Sequence, residues 1–253
     1  MTEMKGSQAV LRALNLLKLV GAHHQQGVHL KALVEETGLN RTTTYRLLES
    51  LMYAGLVERD AKRRYRLGVD AMHLGLTSMS RVPILERCKP LMIRLARRTE
   101  DTVYIVVRNG DYAHCIHYEE GSYPIKALVL QVDGLRLLGT GSAGTALLAT
   151  LSDIEIAEFH RQHKNTIAPQ RAVLSNLQEE MCAIRACGYA ITDNLVAEGV
   201  GGVGVPFEIS NQSYAAISVG DIRSRMPMER RREIAALIQE ELKATGWNVF
   251  RRP

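Results

Sequence analysis

The chain has only four cysteines in 253 residues, and none stands in a CxxC pair or at metal spacing from a histidine. Cys88, Cys115, Cys182 and Cys187 therefore argue against a disulfide scaffold or a thiolate metal site, and read as reduced, mostly buried thiols. No metal and no cofactor is expected. No run approaches the roughly twenty apolar residues of a membrane span, and the opening MTEMKGSQ lacks the apolar core of a signal peptide. These absences point to a cytoplasmic protein with no membrane partner. Charge is not extreme either: a net +5 suits a polyanionic partner without requiring one. What is abundant is hydrophobic sequence, 46% of a chain longer than one typical domain, so two packed cores are expected.

The most informative stretch runs from Leu30 to Gly68. Leu30, Leu33 and Val34 repeat at helical spacing and the pattern stops at Thr37-Gly38, where glycine can end a helix. Asn40 is a good N-cap for a second helix, whose buried stripe is Thr44, Leu47, Leu48 and Leu51 and whose end is Gly55. Arg41, Thr42, Thr43, Tyr45 and Arg46 crowd the N-terminal half of that helix. Hydroxyls and guanidiniums there suit base edges and phosphates in a major groove. Leu56 to Asp60 and Tyr65 to Leu67 read as a wing hairpin about the turn Asp60 to Arg64, with Lys62, Arg63 and Arg64 at its tip beside the sugar-phosphate backbone. A solvated three-helix unit would also carry charge, but cap, glycine turn, period and basic hairpin all agree on DNA binding.

Gln8 to Ala22, with Ser7 as cap and Val10, Leu11, Leu14, Leu17 and Leu19 as its apolar residues, reads as a bracing first helix. Val69 to Ser80 reads as a linker helix, punctuated by Arg81-Val82-Pro83. Residues 1–68 are thus assigned to a winged helix-turn-helix domain, 69–82 to the linker helix, and 83–253 to a second domain. There, Ile84 to Thr99 is helical; Val103 to Tyr118 is a hairpin about Asn109-Gly110-Asp111; and Ile125 to Val132 continues the sheet. Leu174 to Cys187 is an amphipathic helix capped by Gly188 before the strand Tyr189 to Thr192. Val203 to Ile209 and Tyr214 to Gly220 form another strand pair around Ser210-Asn211-Gln212, and Arg230 to Thr245 is a closing helix. The fold class is α+β with a mostly antiparallel sheet.

Gly139-Thr-Gly141-Ser-Ala-Gly144 matches the spacing GxGxxG of dinucleotide-binding folds, but no βαβ unit surrounds it. A close-packed helix from Ala143, lining a small cavity, is the preferred reading.

Taken together, Arg12-Ala13-Leu14, Thr37-Gly38-Leu39, Arg46-Leu47-Leu48, Tyr65-Arg66-Leu67-Gly68, Gly188-Tyr189-Ala190, Val205-Pro206 and Ala215-Ala216-Ile217-Ser218 resemble the IclR family of bacterial transcriptional regulators. Gly141-Ser-Ala-Gly144-Thr-Ala146-Leu-Leu-Ala149 is similar to that family's SGAGKALLA segment. The resemblance implies a GAF-like effector-binding second domain, a small-molecule effector, and a homodimer or tetramer on a palindromic double-stranded DNA operator. Carried over residue by residue, it implies a pocket lined by Ile125, Leu128, Ser142, Asp193, Gly202, Ser218 and Gly220. The effector is then a small organic acid, possibly aromatic, held at the helix start after Gly141. Asn194-Leu195 replaces an acidic pair of the family and Gly201-Gly202 an Arg-Cys, so extra room for a bulkier ligand is expected at Gly202. A catalytic reading has residue types in Ser142, His114, His117 and Asp193 but no nucleophile and base spacing. A DNA-binding protein that uses its second domain only for assembly is the other alternative.

Overall fold

A computed structural model describes residues 7–79, 83–126, 130–132, 134–210 and 213–251. The chain divides into two compact units, Met1–Val82 and Pro83–Pro253.

In the first unit, α1 (Gln8–Ala22), α2 (Leu30–Thr37) and α3 (Arg41–Tyr53) pack with the hairpin β1 (Val57–Arg59) and β2 (Tyr65–Leu67). Its core is Leu16, Val20, Val28, Leu33, Leu48, Leu51, Val57 and Tyr65. Gly38 closes α2 in the left-handed region at φ 66°, a conformation that carries no Cβ penalty in glycine. Two expectations for α1 are corrected. Its buried residues are Leu16 and Val20, while Val10, Leu11 and Leu14 are exposed. Ser7 occupies the N-cap position but its side chain makes no capping bond. A further helix, α4 (Val69–Met79), follows the wing, with Val69, Met72, Leu74 and Leu76 all exposed. Ser80 to Val82, the expected end of the linker, lie outside the described residues.

The second unit is built on one antiparallel six-stranded sheet in the order β5-β4-β3-β8-β7-β6. Its strands are β3 (Thr102–Asn109), β4 (Tyr112–Glu119), β5 (Leu135–Leu137), β6 (Ala190–Asp193), β7 (Val200–Ser210) and β8 (Ser213–Ile222). The helices are α5 (Pro83–Thr99), α6 (Gly141–Leu148), α7 (Asp153–His163), α8 (Leu174–Cys187) and α9 (Met228–Ala244). The Asn109↔Tyr112 pairing places the β3–β4 turn where the asparagine-glycine signal predicts it. The stretch from Ile125 does not continue the sheet: Ile125, Lys126 and Leu130 to Val132 lie in no strand, and 127–129 fall outside the described residues. The edge is instead the short β5, which pairs with β4 through Arg136↔Ala113. Asn211 and Gln212, the expected turn between β7 and β8, also lie outside the described residues.

Gly201 and Gly202 show how the layers are arranged. A Cβ on Gly201 would face Arg231 of α9, and one on Gly202 would face Ser142 of α6. Successive residues of a strand point to opposite faces, so α6 and α9 cover opposite sides of the sheet. Cys88 and Cys115 are buried, Cys187 is half-buried and Cys182 is exposed; all four are free thiols. The expectation of mostly buried cysteines therefore holds for only two of them.

Candidate functional site

The first unit presents a basic, hydroxyl-rich surface. Asn40 accepts a 2.8 Å bond from the Thr43 amide through Oδ1, and so fixes where α3 begins. The Thr44 hydroxyl turns back to the Asn40 carbonyl at 3.0 Å and is buried, which places Leu48 and Leu51 inward. Arg41, Thr42, Tyr45 and Arg46 are left exposed and Thr43 half-buried. At the wing tip Lys62 and Arg63 project, with Arg63 at φ 59°. Arg64 does not project. Its Nε lies 3.0 Å from Asp60 Oδ2, and its amide donates to Asp60 Oδ1 at 2.9 Å. Arg64's backbone amide bond leads in holding the Asp60 carboxyl below its ordinary range. Arg66 adds 2.5 and 2.6 Å bonds to the carbonyls of His24 and Gln25, tying the wing to the α1–α2 loop.

In the second unit a cavity opens between the start of α6 and the sheet, with about 600 Å³ of empty space including its mouth. Tyr104, Val106, Ala113 and Leu130 give it an apolar wall, and Leu195, Val196 and Val200 a second. Its polar lining is Ser142, Thr192, Ser218, Thr140 and Arg136. Ser142, Thr192 and Ser218 are 9%, 7% and 4% exposed, and no hydrogen bond engages their hydroxyls among the described residues. Around them the first-turn amides of α6 lack intrahelical acceptors, and Thr140 supplies no side-chain cap. Three hydroxyls that face one cavity and have no protein partner can each donate to or accept from a ligand there. Arg171, itself buried, holds the turn before α6 by donating to Gly139 and, at 3.2 Å, to Thr145 Oγ1. Glu180 anchors that guanidinium at 2.7 Å.

Both units match known protein families. The IclR helix-turn-helix domain covers residues 9–61, and the model described as "Bacterial transcriptional regulator IclR C-terminal" covers residues 76–245. The chain belongs to the IclR family. Among its relatives, the HTH-type transcriptional regulator KipR of Bacillus subtilis is 25% identical over 227 residues, 88% of this chain and 90% of that protein. The transcriptional repressor IclR of Escherichia coli is 25% identical over 248 residues, 91% and 86% of the two chains. Of the solved structures, an IclR-family regulator from Brucella abortus superposes with TM-score 0.62 at 19% identity, covering 96% of this chain and 93% of that one. The Thermotoga maritima IclR does so with TM-score 0.58 at 22% identity, covering 93% and 96%. The two likenesses to structures speak for the fold.

For this IclR-family chain, four of the seven pocket residues expected from sequence come together: Ser142, Gly202, Ser218 and Gly220 line the cavity. Asp193 does not. It pairs with Gly201 in the sheet, hence points to the α9 face, and there takes 2.6 and 2.5 Å bonds from Arg231 that hold its pKa down. Its neighbour Thr192, opposite Gly202, faces the cavity instead. Ile125 is exposed and lines nothing there, and Leu128 lies outside the described residues. The room expected at Gly202 is already filled: a Cβ there would stand 2.8 Å from Ser142 Oγ. Helix α6 starts at Gly141, two residues earlier than expected, and this lowers Ser142 onto β7. The residues considered for catalysis do not assemble, since Asp193 is held by Arg231 and His117 by Glu119 at 2.7 Å. Arg136, Tyr104, Thr192 and Val196 are lining residues that sequence reasoning missed. Only the alternation of β6 could have pointed to Thr192 once its register was known.

Proposed function

We propose that this IclR-family regulator is a ligand-responsive DNA-binding switch whose effector is a small organic acid. In this reading Arg41, Thr42, Thr43, Tyr45 and Arg46 enter the major groove of a double-stranded operator, while Lys62 and Arg63 lie against phosphates. Arg64, held by Asp60, shapes the wing instead of contacting DNA. Copies of the chain pair as a homodimer or tetramer so that two readers meet two half-sites, and the exposed apolar residues of α4 favour such pairing.

The observation that carries the effector reading is the trio Ser142, Thr192 and Ser218: buried, unpaired and facing one cavity at a helix start. Free amides and the helix dipole favour an anion there, and the apolar walls cover its body. The ligand regulates only if it binds the DNA-competent and DNA-incompetent arrangements unequally. The test is a gel shift on an operator selected by the full-length protein from random duplexes, with and without acids that raise its melting temperature. Ser142→Leu should retain DNA binding and lose the response to the acid. A Ser142→Leu protein that still responds would remove the cavity from the mechanism.

A further inference from the structure

The face of the wing hairpin that packs on α3 ends in an arginine. In the register of the hairpin Val57 pairs with Leu67 and Arg59 with Tyr65, and Val57 and Tyr65 both belong to the core of the first unit. Residues two apart on a strand, and those directly opposite on its neighbour, share a face, so Arg59 continues this inner face beyond Val57. It is the last residue of β1 and is exposed, and its guanidinium lies 5.6 Å from the centre of the Tyr65 ring. No hydrogen bond or ion pair engages that guanidinium among the described residues.

Tyr65 is where the wing meets the reading helix. The groups whose fields reach its phenol are Arg59 on β1 and Tyr45, Glu49 and Arg41 on α3. Those three helical residues are spaced four apart and stand one above another on one side of α3. Tyr65 is fully buried, and its hydroxyl has no hydrogen-bond partner. A guanidinium stacked on such a ring keeps its full charge while the ring face fixes its orientation. Glu49 forms no ion pair with it, so the charge is free for another anion. Resting on the docking proposed above, with α3 in the major groove and the wing tip on the backbone, one sugar-phosphate chain crosses the seam between them, because that chain is the wall of the groove that α3 fills. We propose that Arg59 is a phosphate contact at this seam, with Tyr65 as the residue that positions it. The wing then neutralises phosphate through Lys62 and Arg63 at its tip and through Arg59 behind the tip, while Arg64 stays on Asp60.

The experiment measures binding of the full-length protein, by fluorescence anisotropy, to an operator selected from random duplexes and to a random duplex. Arg59→Ala should flatten the slope of log affinity against log salt by about 0.9 on both, so that its deficit against the wild type shrinks about three- to fourfold between about 50 and 200 mM salt. The loss should be equal on the two duplexes, because a phosphate carries no sequence information. Arg59→Lys keeps the charge and should keep the slope, but bind less tightly for want of a flat stacking group. Tyr65→Phe retains the ring and removes no protein hydrogen bond, and should match the wild type. Tyr65→Leu should shrink the loss that Arg59→Ala causes; should that variant not fold, Arg59→Lys tests the stacking alone. An unchanged slope in Arg59→Ala, even with weaker binding, overturns the proposal, since a residue that merely braces the wing does not alter the number of phosphates neutralised. A loss confined to the operator overturns it as well and makes Arg59 a base reader, and a slope lost in Tyr65→Phe overturns the role of the ring. Arg63→Ala separates this proposal from the docking beneath it: if Arg63→Ala flattens the slope and Arg59→Ala does not, Arg59 falls and the docking stands, and if neither does, both fall.

Discussion

Ser142 occupies the space that a side chain on Gly202 would need: a Cβ built on Gly202 comes 2.8 Å from Ser142 Oγ and 3.4 Å from Ser142 Cβ. The expected consequence is strong coupling between the two positions. Gly202→Cys should destabilise the protein, since a close-packed interior relieves such overlap only by shifting α6. Adding Ser142→Gly should restore part of the loss, with the carbonyl of Val219, 3.0 Å from the same Cβ position, preventing full rescue. Urea unfolding of both single variants and the double should give a coupling of about 0.5–3 kcal/mol. Additive effects would mean that the two residues do not share the space.

The same pair of residues shows which parts of the site are legible in sequence. The fragments around Gly141, Gly202 and Ser218 place two strands and a helix start in one neighbourhood, and they do line one cavity. Asp193 fails for a reason of parity: a strand alternates faces, and without a known register one residue separates the cavity side from the α9 side. In α1 the difficulty is one of phase. Leucines lie on several sides of that helix, so Val10, Leu11 and Leu14 are as plausible inward as Leu16 and Val20, and only packing against α3 decides. Arg136 carries no local signal at all, because a three-residue edge strand has too few residues to show a period. The winged helix-turn-helix is clearest because its determinants are local: Asn40 caps, Gly38 turns, and Thr44, Leu48 and Leu51 repeat within one helix.

The Asn40 cap leads to a stability prediction for the DNA-reading helix. Asn40→Ala removes the acceptor for the Thr43 amide and should cost about 1 kcal/mol. Chemical denaturation of the full chain measures this, and Asn40→Asp, which retains a side-chain acceptor, should recover most of it. An unchanged midpoint in Asn40→Ala would show that the α3 start is held by its packing alone.

Wing residues should separate by the slope of log affinity against log salt. Lys62 and Arg63 project, so removing both should flatten the slope by up to about 0.9 for each phosphate that is no longer neutralised. Arg64 and Arg66 both lie near Asp60, at 3.0 and 3.5 Å. Arg64→Ala should therefore leave the slope nearly intact and lower affinity only through a loosened hairpin. A slope change in Arg64→Ala equal to that of Arg63→Ala would place Arg64 on the DNA.

Stability should depend on pH through Asp101. This residue, just before β3, is buried against Asp221, with Arg225 at 2.9 Å and Arg230 at 2.8 Å. Burial first, and then the hydrogen bond with Asp221, push its carboxyl up to about 7, against the pull of the two arginines. An unfolded aspartate titrates near 4, so between about pH 4 and 7 the folded chain binds the proton and the unfolded chain does not. Stability then falls as pH rises across that window and levels off above it. Other groups titrate there too, so the reference is Asp101→Asn, which mimics the protonated acid at every pH. Wild type and variant should be closest in stability near pH 4, and the variant should gain on the wild type toward pH 7. Thermal melts at half-unit steps measure the difference. If the gap opens the other way, with the wild type gaining as pH rises, Arg225 and Arg230 outweigh burial and Asp101 is a charged partner throughout.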